Sequence, residues 1–173
     1  MPEPASVRRV FAGRFLSVDL EEWPGIGAYE VVRHPAAAAV LPITPAGDVL
    51  LVRQFRPPAR QVLTEIPAGL LDVAGEDAVA CAARELFEET GYRHTSIEFL
   101  GGCYPSAGAT DEYIHLFRAR TADAPEGEPE PGIDLAREPL DRMVDAARAG
   151  RVRDAKTALA LLLAAARPVP PEG

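Results

Sequence analysis

Three glutamates lie close together in the segment GLLDVAGEDAVACAARELFEETGY, which spans residues 69–92. In a helix of about 3.6 residues per turn, Glu85 and Glu89 fall on one face, and Glu88 lies about 60° round from that face. Like charges at this spacing oppose helix formation by roughly a few tenths of a kcal/mol per pair. The segment contains no lysine. Some other interaction must therefore offset the repulsion.

The clustered acids have two interpretations. A run of charge is ordinarily a solvated helix face. Here, however, the turn PAG at 67–69 precedes the helix, and a glycine lets backbone carbonyls approach a bound ion closely. A second acidic pair, Asp111–Glu112, follows on a later loop. Carboxylate and carbonyl oxygens are hard ligands that suit Mg²⁺ or Mn²⁺ rather than zinc, so the pattern favours a divalent-metal site.

The helix that carries the acids is predicted from Asp77 to Thr90, with Gly91 at the position after its end. An apolar stripe should form its buried face, with the carboxylates on the opposite side. The predicted stripe consists of Val79, Ala82, Ala83 and Leu86.

Short apolar runs on either side of this helix predict strands. Residues 9–34 indicate a half-exposed hairpin that turns at 24–27, and 37–44 with 49–55 indicate a buried one. The remaining predicted elements are an extended segment at 65–72, strands at 97–104 and 112–120, a mobile acidic loop at 123–132, and helices at 139–149 and 154–167. Several strands with few helices and short connections predict an α/β sandwich.

Composition narrows the class of protein. The 173-residue chain is 47% hydrophobic, carries a formal net charge of -8 and has a pI of about 4.9. No basic stripe is visible, so nucleic-acid binding is not expected, and an anionic substrate would need local positive charge. The longest apolar run, at 158–166, is too short to span a bilayer. Cys81 and Cys103 lack CxxC spacing and the first residues lack an apolar signal segment, which together indicate a cytoplasmic protein.

The segment 69–92 resembles the Nudix box, whose pattern is G-x5-E-x7-R-E-U-x-E-E-x-G-U, with U a bulky apolar residue. The matching positions are Glu76, Arg84, Glu85, Leu86, Glu88, Glu89, Gly91 and Tyr92. One departure is that six residues, rather than five, separate Gly69 from Glu76. The extra residue lengthens the turn before the helix and leaves the spacing of the helix carboxylates unchanged.

The resemblance extends along nearly the whole chain to the ADP-ribose pyrophosphatase branch of this family. It is carried, in order, by LLVRQFRPP, EIPAGLLD, YPSAGATDEYIHLFRAR and AGRVRDAKTALALLL. The family's usual SPG after the box reads Ser106-Ala107-Gly108 here. The resemblance implies a Nudix α/β/α sandwich with a mixed sheet, and Mg²⁺- or Mn²⁺-dependent hydrolysis of ADP-ribose to AMP and ribose 5-phosphate.

The resemblance also assigns roles around the metal. Glu85 and Glu89 would hold it, with help from Glu88, the Ala68 carbonyl and Glu112. Glu112 matches the loop glutamate that activates the attacking water, and its neighbour Asp111 competes for that role. Arg84 is interpreted as the ion-pair partner that orients a glutamate, so the predicted catalytic residues are Glu112, Glu88 and Arg84.

Predicted substrate contacts lie outside the helix. Arg56 matches an arginine aimed at substrate phosphate, and a structural ion pair is the alternative for it. Phe15 matches an aromatic residue that stacks on adenine, although an ordinary hairpin residue is the alternative. The other predicted contacts are Arg33, Glu65 and Gly69.

The resemblance divides the chain into an N-terminal β-sheet region at 1–36, a Nudix hydrolase domain at 37–168 and a disordered tail at 169–173. It implies a homodimer in which the N-terminal sheet is exchanged between subunits. Hydrolysis of another nucleoside diphosphate sugar is the alternative activity. A Nudix-derived ligand sensor is a further alternative, but such proteins commonly lose the box carboxylates that this chain keeps.

Overall fold

The computed structural model describes residues 2–167, so the predicted tail at 169–173 lies outside the described residues. The N-terminal segment forms a separate antiparallel sheet in the order β1-β2-β3. Its strands are β1 (Ser6–Ala12), β2 (Ser17–Trp23) and β3 (Gly27–Arg33). The predicted hairpin is present as β2 and β3, and the part of the chain before Gly13 forms an additional strand beside them.

The larger sheet has seven strands and is mixed. It consists of β4 (Ala37–Ile43), β5 (Asp48–Arg56), β6 (Gln61–Glu65), β7 (Ala68–Leu70), β8 (His94–Cys103), β9 (Ile114–Thr121) and β10 (Asp134–Pro139). The strand order is β10-β5-β4-β9-β8, with β6 paired to β5 and β7 paired to β4. Strands β4 and β9 run parallel, whereas the other pairs are antiparallel.

The buried hairpin predicted at 37–44 and 49–55 is only partly present, as strands β4 and β5. The turn between them is present, but the strands pair only at Ile43 and Val49. Beyond that point β4 pairs with β7 and β9, and β5 pairs with β6 and β10. The divergence arises because each strand hydrogen-bonds to partners distant in sequence, which local patterning does not indicate. Strand β10 is one of these partners, and its charged sequence DLAREP gave no strand signal.

Three helices cover the two faces of the larger sheet: α1 (Ala78–Thr90), α2 (Leu140–Arg148) and α3 (Ala155–Ala166). Side chains of β4 alternate between the faces. Ala39 and Leu41 join the core beneath α2 and α3, whereas Ala38 and Val40 join the core beneath α1. Each fully buried Leu or Val contributes about 1.5–3 kcal/mol relative to an exposed one. The predicted α/β/α sandwich with a mixed sheet is confirmed.

Within residues 2–167, no helix is long and apolar enough to cross a membrane.

Candidate active site

Helix α1 carries the clustered glutamates, and its own sequence defines both ends. The Asp77 side chain accepts a hydrogen bond from the N–H of Ala80 at 2.8 Å, which caps the helix. Gly91 ends it in the left-handed conformation, with φ 74°, and donates its N–H to the carbonyl of Phe87 at 2.8 Å. The helix predicted from Asp77 to Thr90 is confirmed.

The buried face of helix α1 differs from the predicted stripe. Cys81, Ala82 and Leu86 are fully buried, whereas Val79 is 38% exposed. Glu89 is only 8% exposed, because strand β7 covers its side of the helix. The prediction that the carboxylates lie opposite the buried face is therefore wrong for Glu89.

Arg84 is the cation that offsets repulsion among the glutamates. Its Nε and one terminal nitrogen donate to the two oxygens of Glu76 at 2.8 and 2.9 Å. The other terminal nitrogen donates to Glu85 at 2.5 Å and to Glu88 at 2.9 Å. The lengthened turn thus still brings Glu76 to Arg84. A planar guanidinium with fixed donors suits this arrangement better than a lysine would.

Strand β7 lies directly against the glutamates of α1. A β-carbon on Gly69 would stand 1.9 Å from Glu85 Oε1, so any larger residue here would force this carboxylate to move. One strand position earlier, the N–H of Ala68 donates to Glu89 Oε2 at 3.2 Å. The predicted ligand residues Ala68, Glu85 and Glu89 are therefore brought together, and Gly69 lies between them in the role of a spacer.

Burial makes the charged forms of two of these carboxylates costly. It raises the pKa of Glu89 to about 7, against a weaker opposing effect of the hydrogen bond from Ala68. Burial also raises the pKa of Glu85, and the ion pair with Arg84 only partly opposes this. Nearby cations thus compensate neither carboxylate fully, and a divalent cation would supply the missing positive charge.

The donor set fits a hard cation, although the carboxylates are not already arranged around one point. Among residues 2–167, no three His, Cys, Asp or Glu side chains converge in a group that could hold a metal ion. Arg84 instead engages oxygens of Glu85 and Glu88. A divalent ion would take over these oxygens together with Glu89 beside β7, and such oxygen ligands suit Mg²⁺ or Mn²⁺.

The loop that carries Asp111 and Glu112 is fastened to the end of β3. Asp111 accepts hydrogen bonds from the N–H of His34 at 2.9 Å and from Arg33 at 3.0 Å. The carboxylate of Glu112 lies 3.6 Å from the His34 ring, and its backbone N–H donates to the Thr110 hydroxyl. Asp111 therefore holds the loop in place, whereas the Glu112 carboxylate has a looser contact. The role of Glu112 as a base stays a prediction.

Arg56 and Glu65 form the ion pair that was the alternative interpretation of Arg56. Two guanidinium nitrogens donate to the two Glu65 oxygens at 2.7 and 2.8 Å. Glu65 is 1% exposed, whereas the side chain of Arg56 is 40% exposed. Arg56 thus keeps an accessible surface while its partner is buried. Contact of either residue with substrate stays a prediction.

Of the two predicted substrate contacts in the N-terminal region, Arg33 is held in ion pairs and Phe15 is exposed. Arg33 pairs with Asp19 at 3.0 Å, with Glu21 and with Asp111, so its guanidinium joins the small sheet to the loop. Phe15 is 64% exposed, with the Arg14 guanidinium 4.8 Å from its ring centre. The structure places Phe15 on the outer surface rather than in a hairpin core.

Next to Arg33 lies a cavity that the sequence did not indicate. It has a volume of about 490 Å³ and is lined on its aromatic side by Trp23, Tyr29 and Tyr104. Two of these rings come from the small sheet, and Tyr104 begins the loop that ends at Asp111. The cavity exists because this loop packs on β3, through the bridge between Val32 and Thr110. No local pattern signals such a long-range contact.

Glu130 is a further acidic residue that the sequence analysis missed. Its N–H donates to the Glu88 carbonyl at 2.9 Å, and its charge acts on the Glu85 carboxylate. The segment 123–132 is also tied to Gly91, whose carbonyl accepts from the N–H of Glu126 at 2.8 Å. Composition suggested only a mobile loop there. The sequence signal for Glu130 was the number of acidic residues in 123–132, but these residues have no helix or strand periodicity that would show which of them faces the site.

The chain is similar to known proteins in both sequence and fold. Residues 32–167 match the model of the NUDIX domain. A crystal structure of an ADP compounds hydrolase superposes with a TM-score of 0.77, covering 96% of this chain and 93% of that one at 22% identity. That structure supports the fold alone.

Curated relatives cover most of the chain. An ADP-ribose pyrophosphatase of Bacillus subtilis is 35% identical over 88% of this chain and 86% of its own length. A methanol dehydrogenase activator of Bacillus methanolicus is 37% identical with the same coverage. A GDP-mannose pyrophosphatase of Cronobacter sakazakii is 34% identical over 87% of this chain and 86% of its own length. The chain therefore belongs to the Nudix family of pyrophosphohydrolases.

Proposed function

We propose that this chain hydrolyses the pyrophosphate bond of ADP-ribose to AMP and ribose 5-phosphate, using Mg²⁺ or Mn²⁺. The observation that carries the proposal is the packing of β7 against two carboxylates: a β-carbon on Gly69 would overlap the carboxylate of Glu85, and the N–H of Ala68 donates to Glu89. Nudix hydrolases generally use divalent metal ions. The similarity to an ADP-ribose pyrophosphatase supports the substrate.

The chemistry requires charge neutralisation and a proton acceptor. A divalent ion held by Glu85, Glu88, Glu89 and the Ala68 carbonyl would neutralise charge on the pyrophosphate oxygens. Arg56 would orient a phosphate through its exposed edge. As the water oxygen bonds to phosphorus and the bridging P–O bond breaks, a carboxylate takes the proton from the water. Glu112 is the proposed acceptor.

The cavity beside Arg33 supports a nucleotide substrate. Trp23, Tyr29 and Tyr104 offer flat apolar surfaces to a base, and Arg33 lies at the polar edge next to Asp111. Its volume of about 490 Å³ falls in the usual range for small-molecule sites. Phe15 lines a neighbouring hollow that shares Arg33 and Asp111 with this cavity. We assign the nucleoside part of the substrate to this region.

A second candidate substrate is another nucleoside diphosphate sugar. The similarity to a GDP-mannose pyrophosphatase favours it, at nearly the same identity as the ADP-ribose relative. A panel of ADP-ribose, GDP-mannose and other nucleoside diphosphate sugars, with Mg²⁺ or Mn²⁺ and chromatographic identification of products, separates the two. ADP-ribose should give the highest kcat/KM. A higher value for GDP-mannose would make the second candidate correct.

We also propose a homodimer in which residues 1–36 form the exchanged region and 37–168 the hydrolase domain. Every residue of β1 is exposed, including Val7, Val10 and Phe11, and such an apolar edge is typical of an interface. The free thiols of Cys81 and Cys103 support a reducing, cytoplasmic location for this dimer.

A further inference from the structure

Lys156 is the only lysine of the chain, because the other seventeen residues counted as Lys or Arg are all arginines. It lies in the first turn of α3, and its side chain is only 11% exposed. Its ammonium group donates to Glu65 Oε2 and, at 3.0 Å, to Asp154 Oδ1. The single lysine is thus one of the least accessible cations of the structure and is held between two carboxylates.

These contacts extend the Arg56–Glu65 ion pair into a row of alternating charges. Arg56 donates hydrogen bonds to both oxygens of Glu65, and Lys156 donates to one of the same two oxygens. Burial alone would raise the pKa of Glu65, but Arg56 and Lys156 together keep it below its ordinary value. Glu65 therefore needs two cations, and one of them is the arginine proposed to contact substrate.

The far end of the row is fixed to the backbone. Asp154 accepts hydrogen bonds from the N–H of Thr157 at 2.9 Å and from its hydroxyl at 2.6 Å, which caps α3. The same hydroxyl accepts from the N–H of Ile66 at 2.8 Å. Helix α3 is thereby joined to the residue that follows Glu65. This junction places Lys156 beside Glu65.

Two cations on one carboxylate change what Arg56 offers to a ligand. If Arg56 alone compensated Glu65, the pair would be neutral and the guanidinium would be drawn into it. With Lys156 on the same carboxylate, the charge of Glu65 is divided between two cations, while Asp154 also pairs with Lys156, so the four groups are neutral overall. The exposed edge of Arg56, which no longer compensates Glu65 alone, is the part of the row that presents positive charge to an anion at the surface. This matters in a chain whose net charge is -8.

We infer that Lys156 is a positioning residue for substrate phosphate, which acts by compensating Glu65 so that Arg56 is free to bind pyrophosphate. The inference rests on the proposed function for the substrate class. Lys156 itself is assigned no contact with substrate. The compact ammonium suits this position, since one nitrogen reaches both Glu65 and Asp154 where little of either partner is exposed.

The test combines substitution with a binding measurement that needs no turnover. Lys156→Met should raise KM for the hydrolysed nucleoside diphosphate sugar about ten-fold, the scale for losing a partner that orients a ligand-binding side chain. Its kcat should change less than about three-fold, because the metal ligands and the base are untouched. The Kd for inorganic pyrophosphate with Mg²⁺, measured by calorimetry, should rise in parallel.

Two comparisons separate positioning from simple stabilisation. Lys156→Met made in an Arg56→Met background should add no further rise in KM or Kd, because the effect passes through Arg56. Arg153→Met removes an exposed cation just before α3, which donates a hydrogen bond to Gln61, and should leave both constants unchanged. An equal rise in the Arg56→Met background, or a lowered melting temperature with unchanged KM and Kd, would overturn the inference.

A second variant covers the case in which Lys156→Met does not fold. Lys156→Gln keeps a polar side chain that can donate to Glu65 but removes the positive charge. Its Kd for pyrophosphate should rise in the wild-type background and not in Arg56→Met. An unchanged Kd in folded Lys156→Gln would refute the inference. If wild type hydrolyses no member of the substrate panel, the proposed function fails, while the pyrophosphate Kd still decides the role of Lys156.

Discussion

Gly69 and Glu85 are packed so closely that a β-carbon on Gly69 would overlap the Glu85 carboxylate, at 1.9 Å from Oε1. The contact joins strand β7 to helix α1 at the point where the metal is proposed to bind. It makes the glycine a requirement for the position of a carboxylate rather than for an unusual backbone angle.

Gly69→Ala should therefore impair catalysis more than folding. The new methyl group would push the Glu85 carboxylate away from β7, and activity should fall by about 10–100-fold, with a higher Mg²⁺ concentration needed for half-maximal rate. A Mg²⁺ titration of the initial rate measures both effects. Gly69→Ala made in a Glu85→Gln background is the control, because an effect that passes through the Glu85 carboxylate should not add to the effect of Glu85→Gln. Unchanged activity of Gly69→Ala, or an equal loss in both backgrounds, would argue against this account of Gly69.

Glu89 should make stability depend on pH in the absence of metal. Its pKa is raised by burial to about 7 in the folded protein, above the ordinary value of 4.5. The folded state therefore binds the proton more tightly than the unfolded state does. The resulting contribution to the free energy of unfolding is present at low pH and is lost as pH rises through about 7. In EDTA, the melting temperature of wild type should fall relative to Glu89→Gln by on the order of 5 °C between pH 5 and pH 8.

Millimolar Mg²⁺ should reverse that difference at pH 8, because the cation binds the ionised carboxylate of wild type and stabilises the native state by mass action. Thermal unfolding of both proteins at each pH, with and without Mg²⁺, provides the measurement. A difference between the two proteins that stays constant with pH would show that Glu89 does not titrate in this range.

Glu112 and Glu130 are competing positions for the proton acceptor. Glu112→Gln should lower kcat by roughly two or more orders of magnitude, the usual scale for losing a general base, with a smaller change in KM. Asp111→Asn should have a smaller effect on kcat, because Asp111 already bonds to Arg33 and His34. Stopped assays at saturating substrate give kcat for each variant.

The same assay on Glu130→Gln decides between the two loops. Glu130 lies close enough for its charge to act on Glu85, so it should alter Mg²⁺ dependence more than kcat. If Glu130→Gln loses two orders of magnitude in kcat while Glu112→Gln does not, the acceptor lies on the segment 123–132.

The N-terminal sheet should determine the oligomeric state. Sedimentation of the full protein should give about twice the 18.5 kDa chain mass. A chain that starts at Ala36 should lose the apolar surface of β1 and the ion pairs of Arg33, and should be monomeric or aggregated with little activity. A fully active monomer of this truncated chain would contradict the exchange of the N-terminal sheet between subunits.

Local signals predicted the elements that carry the site better than the contacts between them. Asp77 and Gly91 marked the helix ends, because each residue has a side chain or backbone preference suited to that position. The covered side of α1 was predicted incorrectly, because the 3.6-residue period does not reveal that β7 packs against Glu89. Pairing of β4 with β9 likewise depends on residues far apart in sequence.

The sequence also did not indicate all the pairs that charged side chains form in the structure. The resemblance indicated that Arg84 would pair with a glutamate, and it does pair with Glu85 and Glu88. Its two further hydrogen bonds to Glu76 of the preceding turn were not indicated. Nothing in the local pattern linked Lys156 to Glu65, which is ninety-one positions earlier in the chain. Glu130 was hidden in a segment whose composition suggested only mobility.

We expect the carboxylates beside β7 to hold a divalent cation that is required to cleave pyrophosphate. The rate of ADP-ribose hydrolysis against Mg²⁺ concentration tests this most directly, for wild type and Glu85→Gln, with both products quantified. Wild type should release equal amounts of AMP and ribose 5-phosphate only when Mg²⁺ is present, and Glu85→Gln should be slower by on the order of 100-fold or more. Undiminished hydrolysis by wild type in EDTA, or by Glu85→Gln in Mg²⁺, would contradict the claim.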